Sequence, residues 1–150
     1  MQASTQVYCG EEAPKKIVWY AGTDTLVAGD AVCYDVAATV DATDRKKALG
    51  SQVIKPATAN LLAFAGVVAE APGKVGPCQV TIYTPKRGAF AKALVVTGTT
   101  AFVSVLTAAD ASYALAVHTH EETYLNVGFV ALAAETNASG GNLVKLVMFV

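Results

Sequence analysis

The sequence predicts an all-β domain, a sandwich or small barrel preceded by a polar N-terminal arm. Three observations carry this. Short runs of Val, Ala, Thr and aromatic residues alternate with Gly, Pro, Asn and Asp breaks along most of the chain. The breaks recur at roughly 8–12 residues, the spacing of sandwiches and barrels. From Cys78 to Thr84 the alternation is strict: Cys78, Val80 and Ile82 fall on one face, Gln79, Thr81 and Tyr83 on the other. A strand with one face in a core requires that pattern.

The elements follow in order. Residues 1–16 are polar, carry Glu11, Glu12, Lys15 and Lys16, and contain Pro14; they read as an arm ahead of a single β domain over 17–150. Ile17-Val18-Trp19-Tyr20 is the first strand, closed by Ala21-Gly22-Thr23-Asp24. The turn pair Gly29-Asp30 leads into a strand from Ala31 to Val36. Ala37 to Gly50 is the least β-like stretch. It reads either as one short helix, with Thr43 and Asp44 capping a turn from Arg45, or as an exposed loop. Strands resume at Gln52–Lys55 and Ala63–Glu70, the latter holding Gly66. Pro72-Gly73-Lys74-Val75-Gly76-Pro77 and Pro85-Lys86-Arg87-Gly88 are turns.

Phe90–Thr97, Ala101–Thr107, Tyr113–Thr119, Tyr124–Ala133 and Leu143–Val150 complete the strand series, although Ala and Leu in the fourth also suit a helix. Thr97-Gly98-Thr99-Thr100 reads as a hairpin turn, and Thr107-Ala108-Ala109-Asp110 as the start of one helical turn. The last eight residues, Leu143 to Val150, have no polar tail, so they belong to an interior or interface strand.

Composition narrows the function. Of 150 residues, 53% are hydrophobic and only 15% charged, against about 25% in an ordinary soluble domain. Surface this poor in charge is expected to be hidden partly against other subunits. A net charge of −1 and a pI near 6.1 argue against nucleic acid as the main partner. Charge is uneven along the chain. Lys55, Lys74, Lys86, Arg87 and Lys92 stand against Glu70 alone, whereas Asp110, Glu121, Glu122 and Glu135 stand against Lys145 alone. Neighbouring copies can use such asymmetry. No membrane partner is expected, because the longest uncharged run, Ala93–Ala109, is broken by the Thr97–Thr100 turn. The start of the chain lacks a signal-peptide pattern. Cys9, Cys33 and Cys78 are odd in number and lack zinc spacing; Cys33 and Cys78 sit in apolar strands and read as core residues. Asn137-Ala138-Ser139 matches a glycosylation sequon by chance.

The residues that can carry chemistry are few. His118 and His120 share one face of a strand and precede Glu121 and Glu122, a set that suits either a metal or, better, polar subunit contact. There is no nucleophile elbow, phosphate-binding loop or dinucleotide fingerprint, so no catalytic residue, metal or cofactor is expected and the chain reads as no enzyme. Trp19 and Tyr20 suit a barrel plug or an interface anchor. Lys86 and Arg87 form a local basic pair. Together with His118 and His120, these four are the expected subunit or partner contacts.

One combination of segments resembles a known family. Ala28-Gly29-Asp30-Ala31-Val32 makes a turn-to-strand step, Phe64-Ala65-Gly66-Val67-Val68-Ala69 runs toward the Pro72–Pro77 turn and Cys78-Gln79-Val80, and Gly88-Ala89-Phe90 follows. This pattern, over about residues 26–96, resembles the small capsid decoration (head-stabilisation) proteins of tailed bacteriophages. The resemblance implies a tulip-like β-barrel, made in the host cytoplasm, that binds the outer surface of an assembled capsid as a homotrimer. Its partners would be the major capsid protein and copies of itself. The chain departs from the pattern in its longer Ala37–Asn60 insertion and in its strands after residue 100. The alternatives are another head or tail component, or a small-ligand or carbohydrate-binding β-barrel with Trp19 and Tyr113 lining a pocket.

Overall fold

The computed structural model describes residues 10–38, 50–118 and 130–150. Among them lie ten strands: β1 (Lys15–Tyr20), β2 (Ala31–Tyr34), β3 (Gln52–Ile54), β4 (Phe64–Glu70), β5 (Cys78–Tyr83), β6 (Phe90–Val95), β7 (Val105–Thr107), β8 (Ala116–Val117), β9 (Ala131–Ala133) and β10 (Leu143–Phe149). The fold is all-β, with a single 3-10 turn at Leu61–Ala63 among the described residues. The short helix weighed for Ala37–Gly50 falls largely on residues 39–49, outside the described residues.

The first five strands close into a barrel in the order β1-β3-β2-β4-β5. β1 and β3 are parallel, and the other pairs antiparallel. Alternation fills the interior: Val18, Tyr20, Val32, Val53, Val80 and Ile82 point inward with Leu26 from the β1–β2 loop. Register shifts in β2 and β4 bend the sheet as closure demands. Gly66 sits at the crowded inside of this bend. Its φ is +150°, and a Cβ there would overlap the Tyr83 carbonyl oxygen.

The remaining strands form a second sheet, ordered β6-β10-β9-β7-β8. It curls until its edges touch: Val95 and Leu115 form a parallel bridge, and Leu115 N–H donates to the Leu94 carbonyl at 2.8 Å. The concave side is lined by Ala91, Ala93, Ala131 and Ala133, with Val147 and Phe149 filling the centre. Small side chains on β6 and β9, the two strands that flank β10, permit so tight a curl. β4 joins the two halves, since Val68 faces the barrel interior and Val67 the second core. β10 lies between β6 and β9, the interior position expected of its apolar sequence.

Several expectations are corrected. The Thr97–Thr100 turn makes no hairpin, because β10 and β9 lie between the strands it connects. Ala101–Val103 is a turn rather than strand, with Phe102 at φ 57°. No helical turn starts at Thr107; that residue ends β7, and a turn follows at Asp110–Ala111, held by Thr58 N–H donating to Asp110 at 2.7 Å. β1 begins at Lys15, inside the expected arm. Residues 10–14 lie along the start of β6: Glu12 bridges Phe90, Ala13 is buried, and Lys86 pairs with Glu11 at 2.8 Å. Residues 1–9 lie outside the described residues. Asn137 of the sequon is buried, and its Nδ2 donates to the carbonyls of Val95 and Gly141 at 3.2 and 3.0 Å. That nitrogen pins the β9–β10 connection and is closed to modification.

Candidate interaction surface

An antiparallel sheet with one face in a core normally turns polar residues outward. The second sheet does not. On β6, Ala91, Ala93 and Val95 point into the core, which turns Phe90, Lys92 and Leu94 outward. On β10, Val147 and Phe149 point inward, so Val144, Leu146 and Met148 point outward. Register aligns these side chains into rows. Phe90 pairs with Met148, Met148 with Leu132 and Leu132 with Val105, so one apolar row crosses four strands. A second row runs from Lys92 to Leu146 and on to Ala134, whose N–H donates to the Leu146 carbonyl. A third pairs Leu94 with Val144, which is 42% exposed. Lys92 is the one charged side chain in these rows.

The turn before β7 extends this face. Phe102 and Val103 are 66% and 74% exposed, yet their backbone is tightly held. Phe102 N–H donates to Ala133 O at 2.6 Å, Ala101 N–H to Thr136 Oγ1 at 3.2 Å, and Thr100 N–H to Ser104 Oγ at 2.7 Å. A non-glycine residue at φ 57° is strained, and strain of this kind persists only where the surroundings impose it. The fold therefore holds two large apolar side chains in water on a rigid turn.

The expected contact residues are dispersed. Tyr20 points into the barrel and is 1% exposed, so it is the plug and is closed to an outside partner. Trp19 points the opposite way from Val18 and Tyr20, half-buried on the barrel's outer wall. Lys86 and Arg87 are exposed on the β5–β6 turn, with Lys86 engaged by Glu11. His118 follows β8 and donates its N–H to Val105 O at 2.7 Å, beside the apolar row. His120 lies outside the described residues. Trp19 and Tyr113 do not share a face, since Tyr113 packs against the barrel core and Trp19 points away from it.

Sequence reasoning missed the outer rows and the Phe102–Val103 turn. The signal for the rows was present in β10, which is apolar at both parities. The turn was hidden because Ala101–Thr107 has strand composition throughout.

The most connected polar group closes one end of the barrel. Tyr113 Oη donates to Asp24 Oδ2 at 2.6 Å, so the 2.6 Å contact between the two tyrosines is Tyr20 donating to Tyr113. Burial raises both hydroxyls above the usual tyrosine range, and the bond to Asp24 raises Tyr113 further. Lys55 lies over the Tyr113 ring at 4.8 Å. Asp30, 4% exposed, accepts from Val27 N–H at 2.8 Å, and burial raises its carboxyl. Burial also pushes the Cys33 thiol up to about 12. Tyr20, Tyr113 and Asp24 are fastened to one another, and on the second sheet's side Val144, Phe102 and Val103 stay exposed among the described residues. Among the described residues no group of three His, Cys, Asp or Glu is placed to hold a metal ion. No protein-family model, curated protein or solved structure matches the chain.

Proposed function

We propose that this protein is a virion structural protein that binds the outer surface of an assembled phage capsid and stabilises it, as a homotrimer. Its partners are then the major capsid protein and copies of itself, and it acts by adhesion. The observation that supports this reading is the outward apolar face of the second sheet, continued by Phe102 and Val103. Large apolar side chains left exposed on a held turn, as Phe102 and Val103 are, mark a contact site, and the half-buried rows of the sheet extend it. It lies on strands whose hydrogen bonds and packing keep it in one shape, which lowers the ordering cost of binding.

The ligand-binding alternative draws less support. The closed barrel is filled by its own side chains, and the two aromatics proposed to line a pocket lie on opposite sides of its wall. The test is to mix purified protein with undecorated, expanded capsid shells and sediment them. Saturable co-sedimentation at a fixed number of copies per shell is expected. Protein that stays in the supernatant at every concentration contradicts the proposal.

A further inference from the structure

We infer that Phe102 is the anchor of the proposed contact: its ring enters an apolar pocket on the partner, and the fold holds it ready at a cost to its own stability. The inference deepens the capsid-binding reading and rests on it, because it names the residue that makes the contact and the chemistry of what receives it. Its basis is the backbone. Among the described residues seven glycines take positive φ, and one of them, Gly98, lies in the same connection between β6 and β7. The chain thus meets this conformation elsewhere with the residue that adopts it freely. At position 102, with φ 57°, it carries phenylalanine instead. A Cβ in the left-handed region is strained where glycine is not. Burial returns little of that cost, since the side chain is 66% exposed. The other non-glycine residue at positive φ, Ala111, carries only a methyl group.

The turn cannot relax to relieve the strain. Ala133 of β9 grips it on both sides: its carbonyl accepts from Phe102 N–H at 2.6 Å, and its N–H donates to Ser104 O at 3.0 Å. Ser104 N–H donates to Thr100 O at 3.0 Å, and the buried Ser104 Oγ accepts from Thr100 N–H at 2.7 Å. A ring presented on so fixed a backbone loses little further freedom on binding, as an interface anchor requires. Strain imposed on an exposed aromatic has no use inside the fold and points to one outside it. The surroundings of the ring define its receiver. Residues 93–109 contain no charged side chain, and Val103 beside the ring is 74% exposed. The pocket that takes Phe102 is therefore lined by apolar side chains, and the contact there needs no ion pair.

Binding of full-length variants to expanded shells, read by sedimentation, and thermal melting of the same free proteins test the inference together. Phe102→Gly removes both ring and strain, so shell affinity falls about tenfold to a hundredfold while the melting temperature of the free protein holds or rises. Phe102→Ala removes the ring and keeps the strain, so affinity falls by a similar factor with the melting temperature nearly unchanged. Phe102→Leu keeps apolar bulk and recovers most of the affinity. The factor lost in Phe102→Ala is the same at about 50 mM and about 500 mM sodium chloride, because salt does not screen an apolar contact. The inference is overturned if Phe102→Gly or Phe102→Ala binds shells as the wild type does, or if the loss vanishes at high salt. It is also overturned if affinity and melting temperature fall together, which would make Phe102 a structural residue. Wild-type protein that binds no shell overturns the capsid reading and the anchor with it, whereas wild-type binding with unaffected variants overturns the anchor alone.

Discussion

The hydroxyl of Tyr20 is enclosed in the barrel, and Tyr113 is the partner that satisfies it. Removing that partner leaves a buried donor unmatched. Tyr113→Phe is therefore expected to destabilise the protein by about 1–3 kcal/mol in urea unfolding. Tyr20→Phe in the same background should cost little more, because nothing buried is then left unpaired; additive losses would contradict the relay. Asp30 works in the opposite sense. Its carboxyl titrates higher in the folded protein than its ordinary value of 3.8, so folding takes up protons as the pH passes that region. Its favourable contribution is complete below about 3.8 and is lost as pH rises through the higher folded value. Asp30→Asn, which keeps an oxygen for Val27 N–H, should raise the melting temperature at pH 7, with the gain shrinking toward pH 3. A gain independent of pH would show that ionisation is not its source. None of this could be read from sequence. Tyr20 and Tyr113 are 93 residues apart, and Tyr113 and Asp24 are 89 apart, so no local pattern joins them.

Among the elements, β5 and β10 were legible and the region between Thr97 and Thr107 was not. β5 declares itself by alternation, because one side of it faces a filled barrel. β10 declares itself by being apolar on both sides, which fits its place between β6 and β9 in the second sheet. The turn at Thr97–Thr100 was also recognisable, but its strands were assigned to each other by proximity in sequence. The chain instead sends β9 and β10 back between them. Phe102 and Val103 have strand composition, and their turn is held by Phe102 and Ala101 N–H donating to Ala133 O and Thr136 Oγ1 and, locally, by Thr100 N–H donating to Ser104 Oγ. Position in the sheet makes β10 indispensable. Deleting residues 145–150 removes Val147 and Phe149 from the second core and takes away most of the strand that pairs with both β6 and β9. The deletion should abolish soluble expression of folded protein, read by circular dichroism and thermal melting. A soluble product with an unchanged transition would contradict the assignment.

For the whole molecule, low charge has a structural explanation. A closed barrel and a curled sheet each have their own core, β4 giving Val68 to one and Val67 to the other, and the second sheet is largely apolar on both of its faces. Composition alone predicts hidden surface, and the proposal places it on β6, β10, β9 and the turn before β7. The central claim is that this surface serves an assembly and that binding stabilises a lattice by mass action. Calorimetry of expanded capsid shells, with and without saturating protein, tests it most directly. The account predicts that the shell transition moves to higher temperature as the protein is added and levels off at saturation. A shell transition that stays in place at every protein concentration would contradict it.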